Sequence, residues 1–223
     1  MSGFRQVVAR PFGFPYEGPI VPARTALLVI DLQVDFLSPE GYFARKGYDP
    51  GRLRAILPTV NALVGAARRA GCAIVHTRQG YRADGADLTP YEQWRRARSG
   101  MAGTRALMRG QPGFDLVPEL DVAPADIIVD KTANGAFTHT DLDHILRARG
   151  ISHLMLAGCT TDVCVHTTQR EAVDRNYQCL LVEDACASGD DFAHRAAIHM
   201  TQVEDGIFGV VAPAAAVIAA LAP

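Results

Sequence analysis

Thr25-Ala26-Leu27-Leu28-Val29-Ile30-Asp31 is an unbroken run without charge that closes on a carboxylate. Continuous apolar character, with no alternation, marks a strand buried on both faces, as the inner strands of a parallel sheet are. Similar runs recur along the chain at Cys72–Thr77, Asp126–Asp130, Ser152–Ala157 and Gln178–Glu183, with a weaker one at Gly206–Val211. Helical spacing fills the gaps. Arg52–Ala70 places Leu53, Ile56, Leu57, Val60, Leu63, Val64 and Ala67 on one face, and Gly71 ends it. Thr140-Asp-Leu-Asp143 reads as a capping box ahead of Leu142, Ile145 and Leu146, with Gly150 as the stop; Cys164–Asn176 and Asp191–Glu204 supply two further helices. Strands that alternate with helices give an α/β domain whose parallel sheet carries helices on both faces.

The 223 residues suit one domain, taken as 25–223, preceded by a Pro/Gly-rich arm over 1–24 that lies on the domain or on a neighbour. Residues 79–118 break the rhythm. They are polar, contain the only tryptophan, Trp94, and read as a helical excursion that shapes a pocket wall or a subunit contact. A net charge of −2 leaves no electrostatic footprint for nucleic acid or for an anionic membrane. The start, Met-Ser-Gly-Phe-Arg-Gln, has no signal-peptide apolar core, and the uncharged stretch from Ile207 to Ala222 is divided by Pro213 and reads as a strand followed by a helix. Five cysteines without a C-x-x-C pair suggest neither a disulfide framework nor a zinc knuckle and agree with a reducing, cytoplasmic setting.

The crevice of an open parallel sheet lies beyond the carboxyl ends of its strands, at the switch point of the strand order. Polar residues that end strands are therefore the candidates. Asp31 ends the first strand, Asp130-Lys131 the third, and Thr160-Thr161-Asp162-Val163-Cys164 follows the fourth. With the order 3-2-1-4-5-6, the first and fourth strands are neighbours and Asp31 lies beside Cys164; the side on which the third strand joins stays open. Cys164 stands where a helix begins, and the free N–H groups there favour a thiolate. Lys131 would add a positive charge, and Asp31 is suited to take and return a proton. Taken singly, Asp31 reads as a strand-end cap, Lys131 as a solvated tip and any cysteine as a small hydrophobe; together at one crevice they read as a reactive set.

Ala26-Leu-Leu-Val-Ile-Asp-Leu-Gln33 with Asp35-Phe36, then Asp130-Lys131, then Gly158-x-Thr-Thr-Asp-x-Cys-Val165 resemble the three motifs of the isochorismatase-like cysteine hydrolases, and the likeness runs from about residue 24 to the end. The resemblance implies a three-layer α/β/α Rossmann-like fold with a six-stranded parallel sheet of order 3-2-1-4-5-6. It implies Asp31, Lys131 and Cys164 as a catalytic triad, a cis peptide before Thr160, and an oxyanion hole formed by the N–H groups of Thr160 and Cys164. The cysteine points to C–N bond hydrolysis rather than to vinyl-ether cleavage. It also implies a homo-oligomer, a tetramer or a dimer.

Within that family, Pro11–Pro22, His76–Arg82, Ala86–Leu88, Thr160–Thr168, Arg170–Arg175 and Cys179–Asp184 are most similar to biuret and triuret hydrolases. Two positions depart from that pattern: Glu204 stands where those enzymes carry a substrate-facing glutamine, and Asn134 where a second lysine is common. An ionised glutamate only accepts hydrogen bonds, so Glu204 would favour the N–H-rich edge of biuret or triuret. Asn134, Phe36, Phe137, Phe208 and Arg78 complete the expected substrate-binding set, although each phenylalanine is equally at home in a core. An arginine cluster facing Cys164, from Arg78 or Arg82, would instead favour the carboxylated substrates ureidoacrylate or N-carbamoyl-sarcosine. No histidine occurs in residues 36–60, where the nicotinamidase branch keeps metal ligands, and no nucleotide-binding motif is present, so neither metal nor cofactor is expected. The expected substrate is a small-molecule ureide. A silent protein binding a small molecule in the same pocket is the rival from another class, and a redox role has no resolving thiol beyond Cys159.

Overall fold

The protein is described here by a computed structural model covering residues 3–222. Met1, Ser2 and Pro223 lie outside the described residues, and with them the tips of the expected arm and domain.

β1 (Thr25–Ile30) has all six residues buried. Its side chains divide between two cores: Leu27 and Val29 face one, Ala26, Leu28 and Ile30 the other. That division is what an unbroken apolar strand between two helical layers requires. The other strands are β2 (Ala73–Gln79), β3 (Ile127–Lys131), β4 (His153–Cys159), β5 (Gln178–Ala187) and β6 (Val210–Ala212), all parallel, in the order β3-β2-β1-β4-β5-β6. The direction of strand addition reverses between β1 and β4, so this pair defines the switch point. The third strand joins beyond β2, which leaves β2 between Lys131 and Asp31.

One helical layer contains α1 (Val34–Leu37), α2 (Tyr42–Arg45), α3 (Pro50–Arg54) and α4 (Leu57–Ala70), with α9 (Ala214–Leu221) beside α4. α5 (Pro90–Arg98) belongs to the polar excursion. The opposite layer contains α6 (Leu142–Ala148), α7 (His166–Val173) and α8 (Asp191–Gly206). No helix among the described residues is long and apolar enough to cross a membrane.

Several expected boundaries move. The single helix expected over Arg52–Ala70 comes as α3 and α4, because Pro58 has no N–H to offer a continuous helix and instead sits in the first turn of a new one. The capping box at Thr140 does not form: the Thr140 hydroxyl donates to the Ala136 carbonyl, and Asp143 pairs with Arg147 and Tyr177. β5 runs four residues beyond Glu183, since its pairing with β4 slips between Leu156–Leu181 and Gly158–Cys186. The expected strand over Gly206–Val211 begins later, because α8 runs to Gly206 and its last residues, Glu204, Asp205 and Gly206, turn left-handed. The arm packs on its own domain: Val7, Phe14 and Ile20 are buried, and Arg10 exchanges two backbone hydrogen bonds with Val211 on β6.

Gly158 occupies the switch point at φ +119°, and a Cβ there would stand 2.2 Å from the Ile30 carbonyl oxygen of β1. Gly158→Ala is therefore expected to lower stability by at least about 3 kcal/mol, the range of severe core substitutions. Gly47, at φ +87° with open space around it, should cost only about 1–2 kcal/mol as alanine, from its backbone conformation alone. Urea unfolding of the two variants checks the contrast, and equal losses would contradict it.

Candidate active site

Three strand ends meet at the switch point. Asp31 follows β1 directly at φ +53°, a left-handed turn that aspartate tolerates better than most residues. Lys131 is the last residue of β3. Beyond β4 the Cys159–Thr160 peptide is cis, as the sequence resemblance implied, and the chain then winds through a wide π-helical turn, Thr161–Val165, into α7. Cys164 thus lies within a turn that starts three residues earlier than the helix expected from the sequence.

Asp31 and Lys131 have no solvent exposure, and Lys131 Nζ lies 2.9 Å from Asp31 Oδ2. The carboxylate's other oxygen accepts from the Thr77 hydroxyl at 2.6 Å. Lys131 Nζ also donates to Gln79 Oε1 at 2.7 Å and to the carbonyls of Ala133 and Asn134 at 3.1 and 2.8 Å. Cys164 lies close enough to Asp31 and Lys131 for both to act on the titration of its thiol. Burial works against a charged Lys131, but the attraction of Asp31 and then of Cys164 outweighs it and holds the ammonium above the ordinary lysine pKa.

Cys164 differs from the sequence expectation in its resting state. Burial pushes its thiol up to about 12; Lys131 pulls it down, and the adjacent Asp31 raises it again. The expectation of a resting thiolate at a helix start neglects how dry the site is, because desolvation disfavours the charged form more than one cation favours it. The balance of these effects favours a neutral thiol beside the Asp31 carboxylate.

Above the trio opens a pocket of about 560 Å³, within the range of small-molecule sites. Cys164, Thr160, Asn134 and Phe36 line it, as expected from the sequence. Four other expected residues are absent from its lining. Phe137 is core, packed on Tyr177 with ring centroids 5.6 Å apart. Arg78 is held by Asp130 at 2.7 Å and lies over the Phe114 ring, while the exposed Arg82 pairs with Asp84. Phe208 has the Arg170 guanidinium 3.9 Å above its ring and leans on His166. Glu204 is exposed in the left-handed turn at the end of α8. Cys159 lies outside the lining as well, its thiol directed at the Asp31 carbonyl 3.2 Å away.

The sequence reading missed several lining residues. Gln79 ends β2 as Asp31 ends the strand beside it, and the strand-end rule applied to β2 would have found it. Its backbone N–H donates to Gln33 Oε1 at 2.7 Å, and Gln33 in turn donates to the Phe114 carbonyl, which ties the polar excursion to the sheet. Tyr42, Phe43, Lys46 and Tyr48 come from the short helix α2 and the loop after it, and Tyr81, Glu92, Arg95 and Ser99 from the excursion. Residues 79–118 therefore do form a pocket wall, by one of the two readings offered for them.

The Isochorismatase domain family matches residues 25–216. Ureidoacrylate amidohydrolase RutB of Caulobacter vibrioides is 34% identical over 196 residues, which is 82% of this chain and 86% of that protein. Among solved structures, a cysteine hydrolase from Pseudomonas syringae pv. phaseolicola superposes with a TM-score of 0.79 at 29% identity, covering 91% of this chain and 94% of that one. N-carbamoylsarcosine amidase from Thermoplasma acidophilum superposes with a TM-score of 0.68 at 26% identity, over 86% and 96%.

A thiol raised toward about 12 keeps its proton at neutral pH and releases it only as the pH climbs past its ordinary value of 9. The ultraviolet difference between the wild type and Cys164→Ser is expected to show no thiolate band below pH 9. A full thiolate band at pH 7 would contradict this protonation state.

Proposed function

We propose that this chain, which belongs to the isochorismatase family, is a cysteine-dependent amidohydrolase that cleaves the terminal C–N bond of a ureide and releases ammonia. The observation that carries the reading is the buried contact of Asp31, Lys131 and Cys164 beneath a pocket that also exposes Thr160. In the proposed reaction Asp31 takes the thiol proton as Cys164 Sγ attacks the ureido carbonyl, so that the thiolate exists only while it reacts. The N–H groups of Thr160 and Cys164 receive the developing oxyanion. Asp31 returns the proton to the departing nitrogen, ammonia leaves, and the rest of the substrate stays on Cys164 as a carbamoyl-thioester. Water, deprotonated by Asp31, then attacks the same carbonyl and restores the thiol. Lys131 remains charged throughout and holds the carboxylate in place.

The relative named as a ureidoacrylate amidohydrolase and the solved N-carbamoylsarcosine amidase support a carbamoyl compound bearing a carboxylate. The preference for biuret and triuret depends on Glu204, and that residue does not line the pocket. The substrate reading therefore moves to the ureidoacrylate class.

Ammonia release from ureidoacrylate, biuret, triuret and nicotinamide tests the proposal. Ureidoacrylate should be turned over with kcat/KM at least about tenfold above each of the others, the discrimination that about 1.4 kcal/mol of differential binding provides. Cys164→Ser and Asp31→Asn should each lower kcat by about 10³-fold or more in folded protein. Wild-type turnover by Cys164→Ser would overturn the mechanism, and a preference for biuret would overturn the substrate class.

A further inference from the structure

The pocket wall formed by α2 and α5 carries more positive charge than it neutralises. Lys46 follows α2 and lines the pocket half-buried, its Nζ donating to the Ser99 hydroxyl and lying 5.5 Å from the centroid of the Tyr42 ring. No carboxylate stands within 4 Å of it among the described residues. Its charged neighbours are Arg95, Arg96 and Glu92, of which Glu92 is already paired with Arg95 at 2.8 Å. Three cations thus face one carboxylate. Arg96, buried behind this wall, donates through Nη2 to Thr104 and the Ala106 carbonyl. Burial first and Arg95 second lower the pKa of Lys46, which is the response of a cation lacking an anion.

The remaining carboxylates at the pocket, Asp162 and Asp190, belong elsewhere. Asp162 sits in the turn bearing Cys164, and Asp190 caps α8 by accepting from the Ala193 N–H at 2.7 Å. A ligand with a neutral, N–H-rich end and an anionic end therefore meets Asp162 in the turn that bears Cys164 and the cations Lys46 and Arg95 on the α2–α5 wall.

We infer that Lys46, assisted by Arg95, binds the carboxylate of the substrate and thereby selects an acidic ureide over a neutral one. This inference rests on the ureide reading of the site and adds the residues that decide which ureides enter. The carboxylate supplies the acceptor Lys46 lacks and gives Arg95 a second partner beside Glu92. The unbranched lysine delivers a point charge, while the aromatic faces around it exclude water and strengthen the pairing. The expectation that Arg78 or Arg82 would serve this purpose fails because neither lines the pocket.

Calorimetry on a Cys164→Ala protein, which binds without being acylated, tests the pairing with N-carbamoyl-β-alanine and with propylurea, its analogue without the carboxylate. The acid should bind about 10- to 100-fold more tightly, the range of a charge-assisted hydrogen bond. Lys46→Gln should erase most of that difference and leave propylurea unchanged, and Lys46→Arg should restore much of it. Ser99→Ala removes the tether on Nζ and keeps the charge, so it should preserve the preference. Equal affinity for the two ligands, or a preference that Lys46→Gln leaves intact in folded protein, overturns the inference. Should the wild type release no ammonia from any ureide while this binding pattern holds, the subsite stands and the reaction falls. Turnover of both probes with equal kcat/KM would remove the subsite and leave the reaction standing.

Discussion

An ion pair with no access to solvent, Asp31 with Lys131, is the constraint on which the rest of the site depends. Taking two charges out of water costs several kcal/mol each, and removing one partner of such a pair typically costs about 3–5 kcal/mol. The fold offsets part of that cost with hydrogen bonds to each ion. Thr77 donates to the carboxylate from β2, and Gln79 together with the carbonyls of Ala133 and Asn134 accepts from the ammonium. All of these groups come from the carboxyl ends of β1, β2 and β3 or the chain just beyond, so the twisted parallel sheet is the frame that holds the charges in register. Because Lys131 reaches Asp31 from two strands away, β2 has to end in groups that can serve the pair from between.

This arrangement also explains why a thiol as well buried as Cys164 can react. Burial disfavours a resting thiolate there, and Lys131 offsets only part of that effect. In the proposed mechanism the neighbouring carboxylate takes the proton as the bond to the substrate forms. Lys131 keeps that carboxylate from drifting and limits the local charge to one balanced pair.

Much of this is legible in the sequence for a physical reason. A strand buried on both faces has to be apolar from end to end, so the first polar residue after it lies at the crevice, and Asp31, Lys131 and Thr160–Cys164 are found in that way. Gln79 obeys the same rule and escapes only because the second strand reads as ending at Thr77. Burial is not written in the local pattern, so the desolvation that raises the Cys164 thiol is not foreseen from sequence alone. The far end of the pocket is harder still. Lys46, Arg95 and the tyrosines around them belong to short helices within irregular chain, and no periodicity ties them to the sheet. Glu204 and Phe208 fail in the opposite sense. Analogy of position puts them at the substrate, whereas Glu204 lies in the left-handed turn that ends α8, Phe208 lies under Arg170, and neither lines the pocket.

The central claim is that Cys164, neutral until it attacks, carries the substrate through a covalent stage. Intact-protein mass spectrometry of rapidly quenched turnover mixtures with ureidoacrylate tests this directly. The account predicts an adduct equal in mass to the substrate less ammonia, mapped by proteolysis to Cys164 and lost when turnover ends. Steady release of ammonia with no adduct at any quench time, or an adduct on another residue, would contradict it.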